Sequence, residues 1–208
     1  MIDSYSKLSI GKYQEVLECI GTGDYSAGII AVLNDMEIDE VLNLSLSEYR
    51  SLTDKASFLL ESPQPSKVCM EYKLGGFKLD VLCNLSKMTA GQYIDYQTFV
   101  KEPDKYLVEM ISVFLIPKGC KYNEGYDIME VQNAIRECLS ISDALALSAF
   151  FLNLSQALIN STVTSLIRRL KRMMKKEKNP EIRMKMQEAI THLEQGGDGL
   201  HLLTEFQR

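Results

Sequence analysis

From Ser142 or Asp143 to about Lys178 the apolar residues recur at helical spacing: Leu145, Leu147, Phe150, Phe151, Leu154, Leu158, Val163, Leu166, Ile167, Leu170 and Met174. This predicts the longest element of the chain, a helix with an apolar face broader than a coiled-coil seam. Such a face must be covered, by the rest of the chain or by another subunit. Its apolar run is interrupted by Asn153, Ser155, Gln156, Asn160, Thr162, Thr164 and Ser165. A bilayer span needs about 20 nearly uninterrupted apolar residues, so a membrane is not expected as a partner.

The remainder of the 208 residues points the same way, to a mainly α protein with one small β-hairpin (α+β). Helices are predicted over residues 7–20, with Ser9 as cap and Gly21 and Gly23 as stop, and over Tyr25–Asn34. A short one is expected in residues 37–44, capped by Asp39, and another from a Ser47 cap to about Glu61. Ser62-Pro63-Gln64-Pro65 ends that run. Residues 67–83 alone read as strand, two alternating segments around Gly75-Gly76, a turn that tolerates positive φ. Thr89, Pro103, Asp127 and Pro180 mark further helix starts, and Pro117-Lys118-Gly119 a break. The expected organisation is a compact helical domain over 1–140 carrying the hairpin, a long basic-ended helix and final helix over 141–195, and a flexible tail over 196–208.

Catalytic chemistry finds little support. The two histidines, His192 and His201, both lie near the end of the sequence, and an acid–base mechanism would rest on them. Gly21-Thr22-Gly23 lacks the preceding strand and third glycine of a dinucleotide site and reads as a helix end. Glu37, Asp39 and Glu40 suit a helix start rather than a metal site. The five cysteines stand apart, without a C-x-x-C pair or a nearby histidine, as thiols kept reduced in a cytosol do. No catalytic residue, metal or cofactor is therefore expected. Met1–Tyr13 carries polar residues where a secretory leader needs an apolar core, which places the expected location in the cytoplasm.

Binding remains. The net charge of −5 disfavours wholesale attraction to nucleic acid, but the charge is unevenly distributed. Residues 35–61 are acidic, whereas Arg168, Arg169, Lys171, Arg172, Lys175 and Lys176 form a basic helical end. That end suits an acidic protein surface, or a phosphate backbone as the alternative partner. Tyr93, Tyr96 and Phe99 recur at intervals of three in a predicted helix. They read as core or as aromatic anchors for a protein partner. Together with Phe150, Phe151, Leu154 and Leu158 they form the expected partner-binding set, for a foreign protein or for a homo-oligomer.

The strings KLSIGKYQEV, MTAGQYIDYQTF and LIPKGCKYNEGYD, and the order of elements over residues 7–175, resemble small morphogenesis proteins of tailed bacteriophages, the tail assembly chaperones among them. The resemblance implies a non-enzymatic role in building a phage particle, in the host cytoplasm or as part of the virion. A structural ring, neck or tail subunit is the alternative within that class. No functional residues carry over from it.

Overall fold

The computed structural model describes residues 2–20, 25–84, 87–103 and 105–195, apart from the side chains of Tyr25, Ser155, Leu158 and Ile159. The predicted stop at Gly21 and Gly23, His201 and the tail 196–208 lie outside the described residues. The fold is mainly helical with one small antiparallel sheet. Its elements are α1 (Ile10–Ile20), α2 (Tyr25–Asn34), α3 (Ile38–Leu42), α4 (Leu46–Lys55), β1 (Glu71–Leu74), β2 (Phe77–Val81), α5 (Ala90–Phe99), α6 (Leu107–Ser112), β3 (Leu115–Pro117), α7 (Ile128–Cys138), α8 (Ile141–Lys176) and α9 (Pro180–Glu194). The chain divides into two compact units, Met1–Phe151 and Leu152–Arg208. Among the described residues, no helix is long and apolar enough to cross a membrane.

In the first unit, Leu74 pairs with Phe77 across Gly75-Gly76, the two-residue turn anticipated above. Both glycines take positive φ, 53° and 86°, as a tight hairpin turn demands. Tyr72, Leu74, Leu79 and Val81 face inward and their neighbours outward, the period-two pattern of a half-buried sheet. A third strand, β3, joins β2 antiparallel in the register Leu79↔Pro117 and Val81↔Leu115. Reading Pro117 as a helix breaker concealed it. β3 is an edge strand, where a proline without an N–H is tolerated.

The core beneath the sheet centres on aromatic packing. Phe114 and Phe151 stack with centroids 4.0 Å apart, and Tyr96 meets Phe114 edge-on at 5.1 Å. Leu8, Ile10, Ile111, Val131, Ile135, Leu139, Ile141 and Leu147 close around them. The start of the chain is tied in by backbone: Ile10 N–H donates to Leu139 C=O at 3.1 Å, and Ile141 N–H to Leu8 C=O at 2.8 Å.

Several helix starts differ from those predicted. α4 is capped by Ser45, not Ser47: the Ser45 hydroxyl accepts from Glu48 N–H, and the Glu48 carboxylate accepts from Ser45 N–H at 3.0 Å. This is a reciprocal capping box, which Ser47 has no matching glutamate to form. α4 ends at Lys55, and a tighter 3₁₀ turn, Ala56–Leu60, replaces its predicted last turn. α3 is capped at Glu37 rather than Asp39, and the Glu40 carboxylate accepts from Glu37 N–H at 3.0 Å. α6 begins at Leu107 rather than Pro103 and is a single short helix. α8 is capped by Ser140, whose hydroxyl accepts from Asp143 N–H at 3.1 Å and donates to the Asp143 carboxylate. Ser9, Thr89 and Asp127 cap as predicted.

In the second unit, the Asn179 side chain accepts from Glu181 N–H to start α9 at Pro180. α9 buries Met186, Ala189, Ile190 and Leu193, one stripe at i, i+3, i+4 and i+7. A Lys171–Glu194 ion pair at 2.9 Å links α8 to α9.

Candidate interaction surfaces

The predicted aromatic anchors do not form one surface. Intervals of three rotate a helical side chain by about 60° per step, so three such residues fan across the helix. Tyr93 is accordingly exposed, Tyr96 is buried against Phe114, and Phe99 packs half-buried on Tyr106. Phe151 is core, Phe150 packs against its edge, and Leu154 is half-buried in the second unit. The Leu158 side chain lies outside the described residues.

What does lie on the surface of the first unit is an apolar row in its most acidic segment. Ile38 and Leu42 stand at i, i+4 on α3, and Leu46 opens α4 four residues on; they are 48%, 64% and 65% exposed. Beneath them Ala27, Ile30, Ala31 and Val41 form a small core of their own, against which Met36, Leu44, Tyr49 and Leu52 pack. The same segment carries a shallow groove of about 400 Å³, lined by Leu44, Ser47, Glu48, Ser51 and Leu52. The segment is anionic: Glu37, Asp39, Glu40 and Glu48 are all exposed, and Glu48 lines the groove. Hydrogen bonds from the Ser45 side chain and backbone hold the Glu48 carboxyl below its ordinary range, so it stays ionised near neutrality. Sequence reasoning missed this row because Asn43–Ser45 breaks it between two helices. The spacing of four across that break was its signal.

The basic residues behave differently. Arg168, Arg169, Lys171, Arg172, Lys175 and Lys176 are all exposed. On an α-helix they fall within an arc of about 160°. Val163, Leu166, Ile167, Leu170 and Met174, all half-buried, occupy the other side of the same helix. Between Asp143 and Glu177 the helix carries no carboxylate. Lys171 is held by Glu194, whereas Arg169, Met173 and Lys176 form an i, i+4, i+7 row in which Met173 is 46% exposed.

Polar pairs elsewhere are structural in form. The Tyr122 phenol donates to the Asp95 carboxylate at 2.8 Å, pinning the turn after β3 to α5. Asp143, at the start of α8, accepts from Ser140 and from the Ser66 hydroxyl, which ties the segment before β1 to that helix end. Cys69, Cys83 and Cys138 are exposed, Cys19 and Cys120 half-buried, and none is in a disulfide. His192 is exposed on α9. Among the described residues no three His, Cys, Asp or Glu side chains converge into a metal-holding group.

The molecule thus presents two mixed surfaces: acidic and apolar on α3–α4, basic with an exposed methionine on α8. No family model matches the chain, and neither a curated protein nor a solved structure matches it.

Proposed function

We propose that this chain is a non-enzymatic assembly or adaptor protein that binds a structural protein, in the manner of a phage tail assembly chaperone, and acts in the host cytoplasm. The observation that carries the reading is the exposure of Ile38, Leu42 and Leu46 in an acidic segment that also carries a groove lined by Leu44, Glu48 and Leu52. Large aliphatic side chains in sequence on one surface lose stabilisation in water, about 25 cal/mol for each Å² left uncovered, and a partner's apolar segment recovers it. The exposed carboxylates select a partner segment flanked by cations and disfavour acidic ones. Leu42→Asp together with Leu46→Asp removes the apolar contact without touching the buried Val41.

The test is affinity purification of the tagged protein from its native context, with the particle fraction probed in parallel. Recovery of a stoichiometric structural protein, lost in the double aspartate variant and absent from finished particles, supports the chaperone. Persistence of the protein in particles makes it a virion subunit instead. Recovery of no structural protein at all sinks both.

The basic face of α8 supports a second reading, nucleic-acid association. Six cations on one exposed arc without an intervening carboxylate suit a phosphate backbone. It predicts binding of duplex DNA that weakens steeply with salt and is lost when Arg168, Arg172 and Lys176 become Gln.

A further inference from the structure

The two mixed surfaces are complementary to each other, and we infer that the α3–α4 surface of one copy docks on the basic face of α8 in a second copy. This rests on the reading of α3–α4 as a docking surface and names an occupant for it. Residues 35–61 hold seven carboxylates against Arg50 and Lys55; residues 168–178 hold seven cations against Glu177 alone. Opposite potentials of this kind steer two surfaces together and set their register.

Charge is not the whole match. The acidic side offers exposed Ile38, Leu42 and Leu46 among its carboxylates, and the basic side offers Met173 within the row Arg169, Met173 and Lys176. Methionine adapts its shape to such a contact. An exposed apolar side chain among the cations fits a protein partner better than a phosphate backbone, which has nothing to cover it. The chain's net charge of −5 further opposes a polyanion, while the acidic surface of another copy is present wherever the protein is.

The contact is heterologous: each copy uses one surface as donor and the other as acceptor. Copies that satisfy both surfaces close into a dimer or ring and those that do not propagate, so in either case the assembly grows with concentration. A client protein that binds α3–α4 competes with the second copy and breaks the assembly down.

Sedimentation velocity and light scattering on the purified chain, across the micromolar range and at two salt concentrations, provide the test. The expected result is a mass that rises with concentration at low salt and falls toward the monomer in about 0.5 M salt, where screening is nearly complete. Two neutralised variants sharpen it: Arg168→Gln, Arg172→Gln and Lys176→Gln in one, and Glu37→Gln, Glu40→Gln and Glu48→Gln in the other. Glutamine serves in the capping boxes of α3 and α4 as glutamate does, so the helix starts survive. Each variant alone associates about tenfold or more weakly. Mixed, they form a one-to-one pair that grows no further, since only one intact acidic and one intact basic surface remain; misfolded variants would not pair.

A wild-type chain monomeric at every concentration overturns the inference, as does self-association that neither variant weakens or a mixture that does not pair. A monomer that is nonetheless recovered with a stoichiometric structural protein keeps the docking surface and loses the second copy as its occupant. Duplex DNA bound at the basic face by a monomeric protein assigns that face to nucleic acid instead.

Discussion

The phenol of Tyr122 shows what a single half-buried group contributes. Burial first, then the hydrogen bond to the Asp95 carboxylate, pushes its pKa well above the ordinary value of 10.0. The folded state thus holds this proton more tightly than the unfolded chain. Its contribution to stability is complete below about pH 10 and is lost as pH rises through the folded value. Spectrophotometric titration should find this phenol ionising only together with alkaline unfolding. Tyr122→Phe should remove that component and cost about 1 kcal/mol at neutral pH, because Asp95 is half-exposed and water replaces its partner in part. Ionisation of every tyrosine near pH 10 before unfolding would refute the pairing. The two turn glycines make a second contrast. A Cβ on Gly75 would lie 2.7 Å from the Ala134 Cβ at a φ of +53°, whereas one on Gly76 meets nothing within 4 Å. Gly76→Ala carries only the left-handed strain, about 1 kcal/mol. Gly75→Ala adds a clash with the Ala134 methyl and should cost about 2–3 kcal/mol in urea unfolding.

Elements in this fold owe their ends to side chains and their places to the core. The Thr89–Gln92 box starts α5, and Gln92 Nε2 also donates to Val113 C=O at 3.1 Å, so one residue caps a helix and anchors it to the entry of β3. The first turns of α8 belong to the first unit through Ala144, Leu147 and Phe151, all buried. Phe151 completes the stack on Phe114, and Phe151→Ala should destabilise by about 3–5 kcal/mol. Its neighbour Leu152 is 62% exposed, and Leu152→Ala should lie within about 0.5 kcal/mol of the parent. Equal effects from the two would mean that α8 does not enter the core at Phe151. α4 presents the opposite case: it has no buried residue and depends on its capping box and on half-buried Tyr49 and Leu52.

At the scale of the molecule, stability is unevenly spread. The first unit buries a large continuous core beneath its sheet, whereas α3 and α4 rest on a small satellite cluster. In α9 only Met186, Ala189, Ile190 and Leu193 are buried. Hydrogen exchange should therefore be slowest in β2, α7 and the start of α8, and fast in α4, where local opening exposes little apolar surface. Uniform protection would contradict this hierarchy. Fast local opening of α3–α4 also suits the docking role proposed for that surface.

The sequence by itself determined the helical class, the Gly-Gly hairpin, the caps at Ser9, Thr89 and Asp127, and the start of α9 at Pro180, because each depends on residues within a few positions of one another. It also determined the basic arc of α8, since helical periodicity alone aligns those cations. Tertiary structure decided the rest. β3 exists only because β2 lies ready to pair with it; three residues ending in proline carry no strand pattern of their own. Tyr96 and Phe151 are core and Ile38, Leu42 and Leu46 surface for the same reason. Periodicity shows which side chains share a face, but only packing between distant segments selects which apolar faces are covered.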